Sequence, residues 1–311
     1  IDFKNGRAAM LSVSILNRGD SGEVSAQVFQ SCYKAAGRAL GTMLGVSPKP
    51  HKPAGRAVTN VEGWIWTSAH SIATLEYNAE AMKGKVEFLR LRMAPASERN
   101  AILQIAAVGQ SAGARSRSSL LASVQRNTVT GEVMIAGVPM VDQGQKGYCV
   151  AASAQRVFNY MGISGDQHEL AQVMGTTASG GTSLAEMYDA LSHLDSRYGA
   201  RFRAVKANRP FTRMTVKDFE RYQKPDFMKV VKEYIDEGKP LLWALDLGRA
   251  PTDPGLPQQG GGHMRLIIGY NEKNQEIIFT DSWGAGHEKK FMTARAADTC
   301  TDALFVMEPR R

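Results

Sequence analysis

The stretch HMRLIIGYNEKNQEIIFTDSW, residues 263–283, leaves this 311-residue chain the fewest choices of fold. Its two runs, HMRLIIGY and EIIFTDSW, are rich in β-branched and aromatic residues, and the polar NEKN between them is built to turn. Such a pattern reads as two antiparallel strands joined by a short loop. PLLWALDL, just upstream at residues 240–247, supplies a further strand. Ahead of these runs the period changes. From Cys149 to Met161, Leu184 to Leu194 and Phe227 to Ile235, apolar residues recur three or four apart, which predicts helices. A helical first half followed by an antiparallel second half implies an α+β domain with the helices segregated from the sheet.

The part before it differs in charge and pattern. With 43% hydrophobic residues the chain can bury a substantial core, and its length suggests about two domains. Residues 1–131 carry 16 Lys and Arg against 8 Asp and Glu, whereas residues 132–311 carry 22 of each. The whole net charge of +8 therefore sits before Glu132, which supports a boundary there and assigns any acidic partner to the N-terminal part. AAMLSVSIL reads as a strand. SGEVSAQVFQSCYKAAGRALGTML reads as a helix entered at Ser21, with Val24, Val28, Phe29, Cys32, Ala36 and Leu40 at helical spacing. After the Pro-rich SPKPHKPAG come three strand-like runs, GWIWTS, SIATLEY and KVEFLRLRM. Residues 1–95 are expected to form a small basic α+β domain, 96–132 a linker or marginal helix, and 133–311 the second domain.

Several classes of function find no support. No apolar run reaches the roughly 18 residues of a membrane helix, and IDFKNGRAAM lacks the charged start and apolar core of a signal peptide. The compartment stays open between secreted or periplasmic and cytoplasmic. Basic residues are scattered singly with no nucleic-acid-binding motif, so no nucleic acid partner is expected. Cys32, Cys149 and Cys300 are too few and too far apart for a disulfide scaffold, and neither CxxC nor HExxH is present to hold zinc. The glycines of QQGGGH precede a strand instead of following one, which is wrong for a dinucleotide site.

Three distant places nevertheless supply the parts of an activated thiol. Cys149 stands where a helix starts, and the backbone N–H groups there favour a negatively charged sulfur. His263 begins one strand of the hairpin and Asp281 ends the other. An imidazole beside the thiol takes its proton, and a carboxylate behind the imidazole fixes its orientation. Gln143, six residues before the cysteine, can aim an amide at the same oxygen as the Cys149 N–H. Each residue alone also has an ordinary structural reading: a small buried hydrophobe, a satisfied core histidine, a turn aspartate. His168 and Glu169 read as a helix start, His287 as a solvated loop residue, and Cys32 and Cys300 as free thiols.

The joint pattern resembles a known family. QGQKGYC, with Gln143, Gly144, Gly147 and Cys149, is similar to the Q-G-x-x-G-x-C element of papain-like cysteine peptidases. HMRLIIGY resembles their H-A-V-x-x-V-G-Y strand, DSWGAG their N-S-W-G-x-G, and SGGTSLAEMYDAL the glycine turn and helix lining their cleft. The resemblance covers residues 133–309 and implies a papain-like fold for that part. It makes Cys149 the nucleophile, His263 the base, Asp281 the orienting third member and Gln143 the oxyanion donor. It further implies that Gly180 and Gly181 offer backbone to an extended peptide and that Trp283 shields the His263–Asp281 bond from water. Papain has a second cysteine where Lys146 stands, a tryptophan in place of Val150 and an asparagine in place of Asp281. Those departures, with GVPMVDQG running into the site, bring the chain closer to the bacterial bacteriocin-processing-like peptidases. Their double-glycine preference belongs to transporters and is not carried over.

The expected function is a cysteine endopeptidase acting on peptide or protein substrate without a cofactor. Two alternatives remain open: an acyltransferase or deamidase using the same thioester chemistry, or an inactive peptidase-like binding protein. The N-terminal domain is expected to be accessory, as a pro-domain restraining the peptidase or as a docking module.

Overall fold

Along Ser71–Asn78 the side chains alternate, as a strand requires. Ala73, Leu75 and Tyr77 pack into a core with Phe29, Leu40, Trp66 and Leu89, while Thr74, Glu76 and Asn78 belong to the opposite face. This strand lies inside the first of two units. The computed structural model describes residues 1–4, 6–52, 60–100, 102, 115–144, 147–163, 165–177, 181–198, 200–212, 214–251 and 260–309. The chain forms two compact units, residues 1–110 with 177–180, and residues 111–176 with 181–311.

Unit one contains β1 (Asp2–Lys4), β2 (Arg7–Asn17), α1 (Arg18–Ser21), α2 (Ala26–Leu44), β3 (Lys49–His51), β4 (Val61–Thr67), β5 (Ser71–Asn78) and β6 (Phe88–Pro95). The strands form one antiparallel sheet in the order β1-β2-β6-β5-β4-β3. Helix α2 is capped by Ser25, whose hydroxyl accepts from the Val28 N–H, four residues later than the Ser21 the sequence suggested. On the other face Glu76 is wholly buried and receives Arg90 Nε at 2.7 Å and Arg92 Nη1 at 3.2 Å. Burial would raise its carboxyl, and the two arginines overcome that and hold it at about 2. Two of this unit's cations are thus spent inside it.

Unit two starts with α3 (Arg117–Leu121), β7 (Val124–Arg126) and β8 (Glu132–Ile135). Next come α4 (Cys149–Tyr160), α5 (Gln167–Val173), α6 (Leu184–Tyr198), β9 (Ala200–Ala207), α7 (Val216–Gln223) and α8 (Phe227–Asp236). It ends with β10 (Leu241–Asp246), β11 (Gly262–Asn271), β12 (Glu276–Thr280), β13 (Lys290–Thr293), α9 (Ala294–Cys300) and β14 (Thr301–Pro309). The main path of the sheet is β13-β12-β11-β10-β14-β9, antiparallel throughout. Strand β10 pairs with the first part of β11 and β8 with its end, at Gly269–Asn271. Gly269 is a glycine for that reason: a Cβ there would lie 2.5 Å from the Val133 carbonyl oxygen. Helix α4 is buried along most of its length and packs on β11; Ser153 Oγ donates to the Met264 carbonyl at 3.4 Å.

The α+β class holds, and the three expected helices and the hairpin lie where the sequence placed them. Within the segment read as a linker, α3 and β7 are ordered, and β7 pairs with β8. Their stability comes from pairing with a strand that itself leans on β11, more than 130 residues away, which no local pattern displays. The helical and sheet halves also interleave, because β9 precedes α7 and α8 and joins the sheet beside β14. Among the described residues no helix is long and apolar enough to cross a membrane.

Candidate active site

Cys149 is the first residue of α4, half-buried, directly after Tyr148. Tyr148 has φ −97° and ψ 14° and makes no side-chain cap, so the first turn of the helix is not closed by its preceding residue. The Tyr148 ring is buried and lies 5.7 Å from the His168 ring, fixing the entry to the helix from below.

The hairpin supplies the partners through its register. Leu266 pairs with Thr280, which sets Arg265 across from Asp281 and leaves His263 two residues further along the same face. One carboxylate therefore meets two cations. His263 Nε2 and Asp281 Oδ1 are 2.7 Å apart, and Arg265 Nε donates to Asp281 Oδ2 at 2.6 Å. The Ser282 N–H adds a third bond, to Oδ1, at 2.9 Å. With Nε2 facing Asp281, the other ring nitrogen of His263 is the one left for its hydrogen bond with the Cys149 side chain. Trp283 stacks on the imidazole with ring centroids 4.7 Å apart.

Gln143 is held from two sides by Ser282. Its N–H donates to the Ser282 carbonyl at 2.8 Å, and its Oε1 accepts from the Ser282 hydroxyl at 2.7 Å. Fixing the amide oxygen fixes the direction of the NH₂ donor as well. Arg156, two turns along the same face of α4 from Cys149, donates to the Asp281 carbonyl, the Thr280 hydroxyl and the Pro139 carbonyl.

The electrostatics follow from burial and pairing. Burial alone would push the His263 imidazole down; its bonds to Asp281 and Cys149, with their charges, overcome this and raise it to about 9. Burial would raise the Asp281 carboxyl, and the bonds and charges of His263 and Arg265 hold it below the ordinary range. The folded value for His263 exceeds that of an unfolded histidine, about 6.5. Its contribution to stability is therefore complete below about pH 6.5 and is lost as the pH rises through about 9. Denaturant titrations should show His263→Ala costing more stability at about pH 6 than at about pH 10. An equal cost at both would mean that the folded site gives the imidazole no extra affinity for a proton.

The structure thus brings Gln143, Cys149, His263, Asp281 and Trp283 together in unit two. Gly181 has φ +66° and lies against this group, since a Cβ on it would sit 3.3 Å from the Gly147 carbonyl oxygen. Gly180 lies outside the described residues. Helix α5 does start beside His168, with Asp166 capping it. His287, expected as a solvated loop residue, is half-buried and sits edge-on to Trp283 at 5.7 Å, because the turn back to the Asp281 N–H folds it inward. All three cysteines are free thiols. Arg156, Arg265 and Ser282 were not singled out by the sequence.

Residues 135–300, rather more than half of the chain, match the Peptidase_C39 like family, and the chain belongs to that family. No curated protein matches it significantly. Solved structures similar to it include the following three. A C39-like peptidase from Bacillus anthracis shares 12% identity at a TM-score of 0.40, over 57% of this chain and 96% of that one. The peptidase domain of Streptococcus ComA, a bi-functional ABC transporter of a quorum-sensing pathway, shares 17% at 0.36, over 56% and 99%. Xylellain, a cysteine protease from Xylella fastidiosa, shares 15% at 0.37, over 65% and 91%.

Proposed function

We propose that this protein hydrolyses peptide bonds through a thioester on Cys149. The observation that carries the reading is the hydrogen-bonded chain from Cys149 through His263 to Asp281, at the head of a buried helix in a member of a peptidase family. The sulfur, as thiolate beside the His263 imidazolium, attacks the substrate carbonyl carbon. The oxygen that becomes negative is met by the Cys149 N–H and by the side-chain NH₂ of Gln143, whose orientation Ser282 sets. His263 delivers its proton to the leaving amine, freeing one new N-terminus and leaving the acyl group on sulfur. Water, deprotonated by the same imidazole, then releases the acid. Asp281 holds the ring and balances its positive charge, and the stacked Trp283 keeps solvent off that bond. Gly181, next to the chain that leads to Cys149, offers unencumbered backbone to an extended substrate.

A library of unstructured peptides tests this reading. New amino termini should appear in the library with the parent protein and be absent with Cys149→Ala. Products carrying an added amine in place of a new carboxylate would make the protein an acyltransferase. An intact library together with a Cys149 that resists alkylation would leave the binding-protein reading.

A further inference from the structure

Arg265 is a costly residue to place in a β-strand core. Its side chain is 1% exposed and donates through Nε to Asp281 Oδ2; among the described residues neither Nη1 nor Nη2 finds an acceptor. Its guanidinium is instead enclosed by aromatic rings, with Cζ at 4.8 Å from the Phe279 centroid, 5.7 Å from Trp283 and 5.9 Å from Trp243. Ring faces attract a cation and relieve part of its desolvation, yet a buried charge of this kind is seldom the most stable filling for its space. Its return lies in the charge it brings to Asp281.

The sum over the site makes the point. A thiolate and an imidazolium cancel, and a buried carboxylate behind them leaves the group with one negative charge. Arg265 removes it. The other ionisable groups around Asp281 do not do so in its place. Arg156, from α4, bonds to carbonyl and hydroxyl oxygens and has exposed Glu288 as a second opposite charge. His287, from the turn after β12, touches Trp283 by its ring edge. Cys300, at the end of α9, lies within reach of the Arg265 charge, but burial pushes its thiol up to about 11 and it stays neutral.

We propose that Arg265 is a positioning residue of the thiol site, a fixed countercharge on the far oxygen of Asp281 that lets the Cys149–His263 ion pair form without net charge. The inference rests on the roles given to Cys149, His263 and Asp281 above. Without the countercharge the cheapest way back to neutrality is a proton on the sulfur. Removing the negative charge of Asp281 as well should undo that effect.

The pH dependence of Cys149 alkylation by iodoacetamide, followed in the full chain by mass spectrometry of the modified peptide, measures this without any substrate. In Arg265→Met the acid-side rise of the rate should move up by about one pH unit or more, so that labelling at a given acidic pH slows about tenfold. In Asp281→Asn it should stay in place or move down. In the double variant it should return to the parent position, a reciprocal rescue that loss of packing alone would not give. Arg265→Lys keeps the charge and should keep the parent profile; if Arg265→Met does not fold, the lysine and double variants still decide the matter. An unmoved profile in Arg265→Met, or a double variant displaced as far as Arg265→Met, overturns the proposal and leaves the thiol site standing. A parent protein whose Cys149 labels no faster than Cys32 at about pH 6 would overturn the reading of the site itself, and this inference with it.

Discussion

Replacing Cys149 with alanine should lower the hydrolysis of any peptide the parent cleaves by at least about a thousandfold, because no second group in the site can form the acyl intermediate. The helix should survive the change. Cys149 is half-buried at the first position of α4, alanine has the higher helix propensity, and the packing of α4 on β11 comes from residues further along. Thermal unfolding therefore should be nearly that of the parent. Alkylation gives an independent check, since Cys149 should react well before Cys300. That thiol is fully buried, donates to the Ala297 carbonyl and is pushed up to about 11 by burial. Activity of Cys149→Ala within about tenfold of the parent would remove Cys149 as nucleophile.

Cys149, His263 and Asp281 were singled out from the sequence because each stands at or beside an element boundary that local patterns mark, and Gln143, in the loop before α4, by its spacing from Cys149. A helix start, the first residue of a strand and the last residue of a hairpin are legible from period and turn chemistry. Once the hairpin is fixed, its register alone brings His263 toward Asp281. The two arginines behind the site were not legible in the same way. Arginine is ordinarily a surface residue, so Arg156 in a helix and Arg265 in a strand drew no notice. There was a signal in both cases. Arg156 lies seven residues from Cys149, on the same helical face, and Arg265 shares a strand face with His263 in an otherwise apolar run. Strand β14 escaped for another reason. Ala303 to Met307 of β14 are all buried, so the run lacks the alternation that separates a strand from a core helix. Ser282 was hidden by its neighbours, since only the folded hairpin shows that it faces Gln143.

Arg156→Met should destabilise unit two by about 3–5 kcal/mol, the cost of leaving three buried oxygens without their charged donor at about 1–3 kcal/mol each. The side chain is 1% exposed. Its Nε donates to the Pro139 carbonyl at 2.7 Å, Nη1 to the Asp281 carbonyl at 2.9 Å and Nη2 to the Thr280 hydroxyl at 2.6 Å. It thereby ties the segment entering Gln143 to the strand end that carries Asp281, a junction otherwise closed by the Gln143 N–H on the Ser282 carbonyl. Burial pulls the guanidinium down to about 10, opposed by the charges of Asp281 and Glu288, which leaves it ionised at neutral pH. Methionine fills a similar space and leaves the buried oxygens without their charged donor. Lysine should rescue little, because one ammonium cannot span three acceptors arranged for a planar fork. Two units need not unfold together, so a single whole-chain transition is the wrong readout. Cys300 provides a local one: it is buried in unit two, and its alkylation in rising denaturant reports the opening of that unit. Cys300 should become reactive at clearly lower denaturant in Arg156→Met, while Cys32 of unit one should label as it does in the parent. A midpoint for Cys300 that corresponds to a loss of less than about 1 kcal/mol would show that the arginine only fills space between the two segments and does not hold them together.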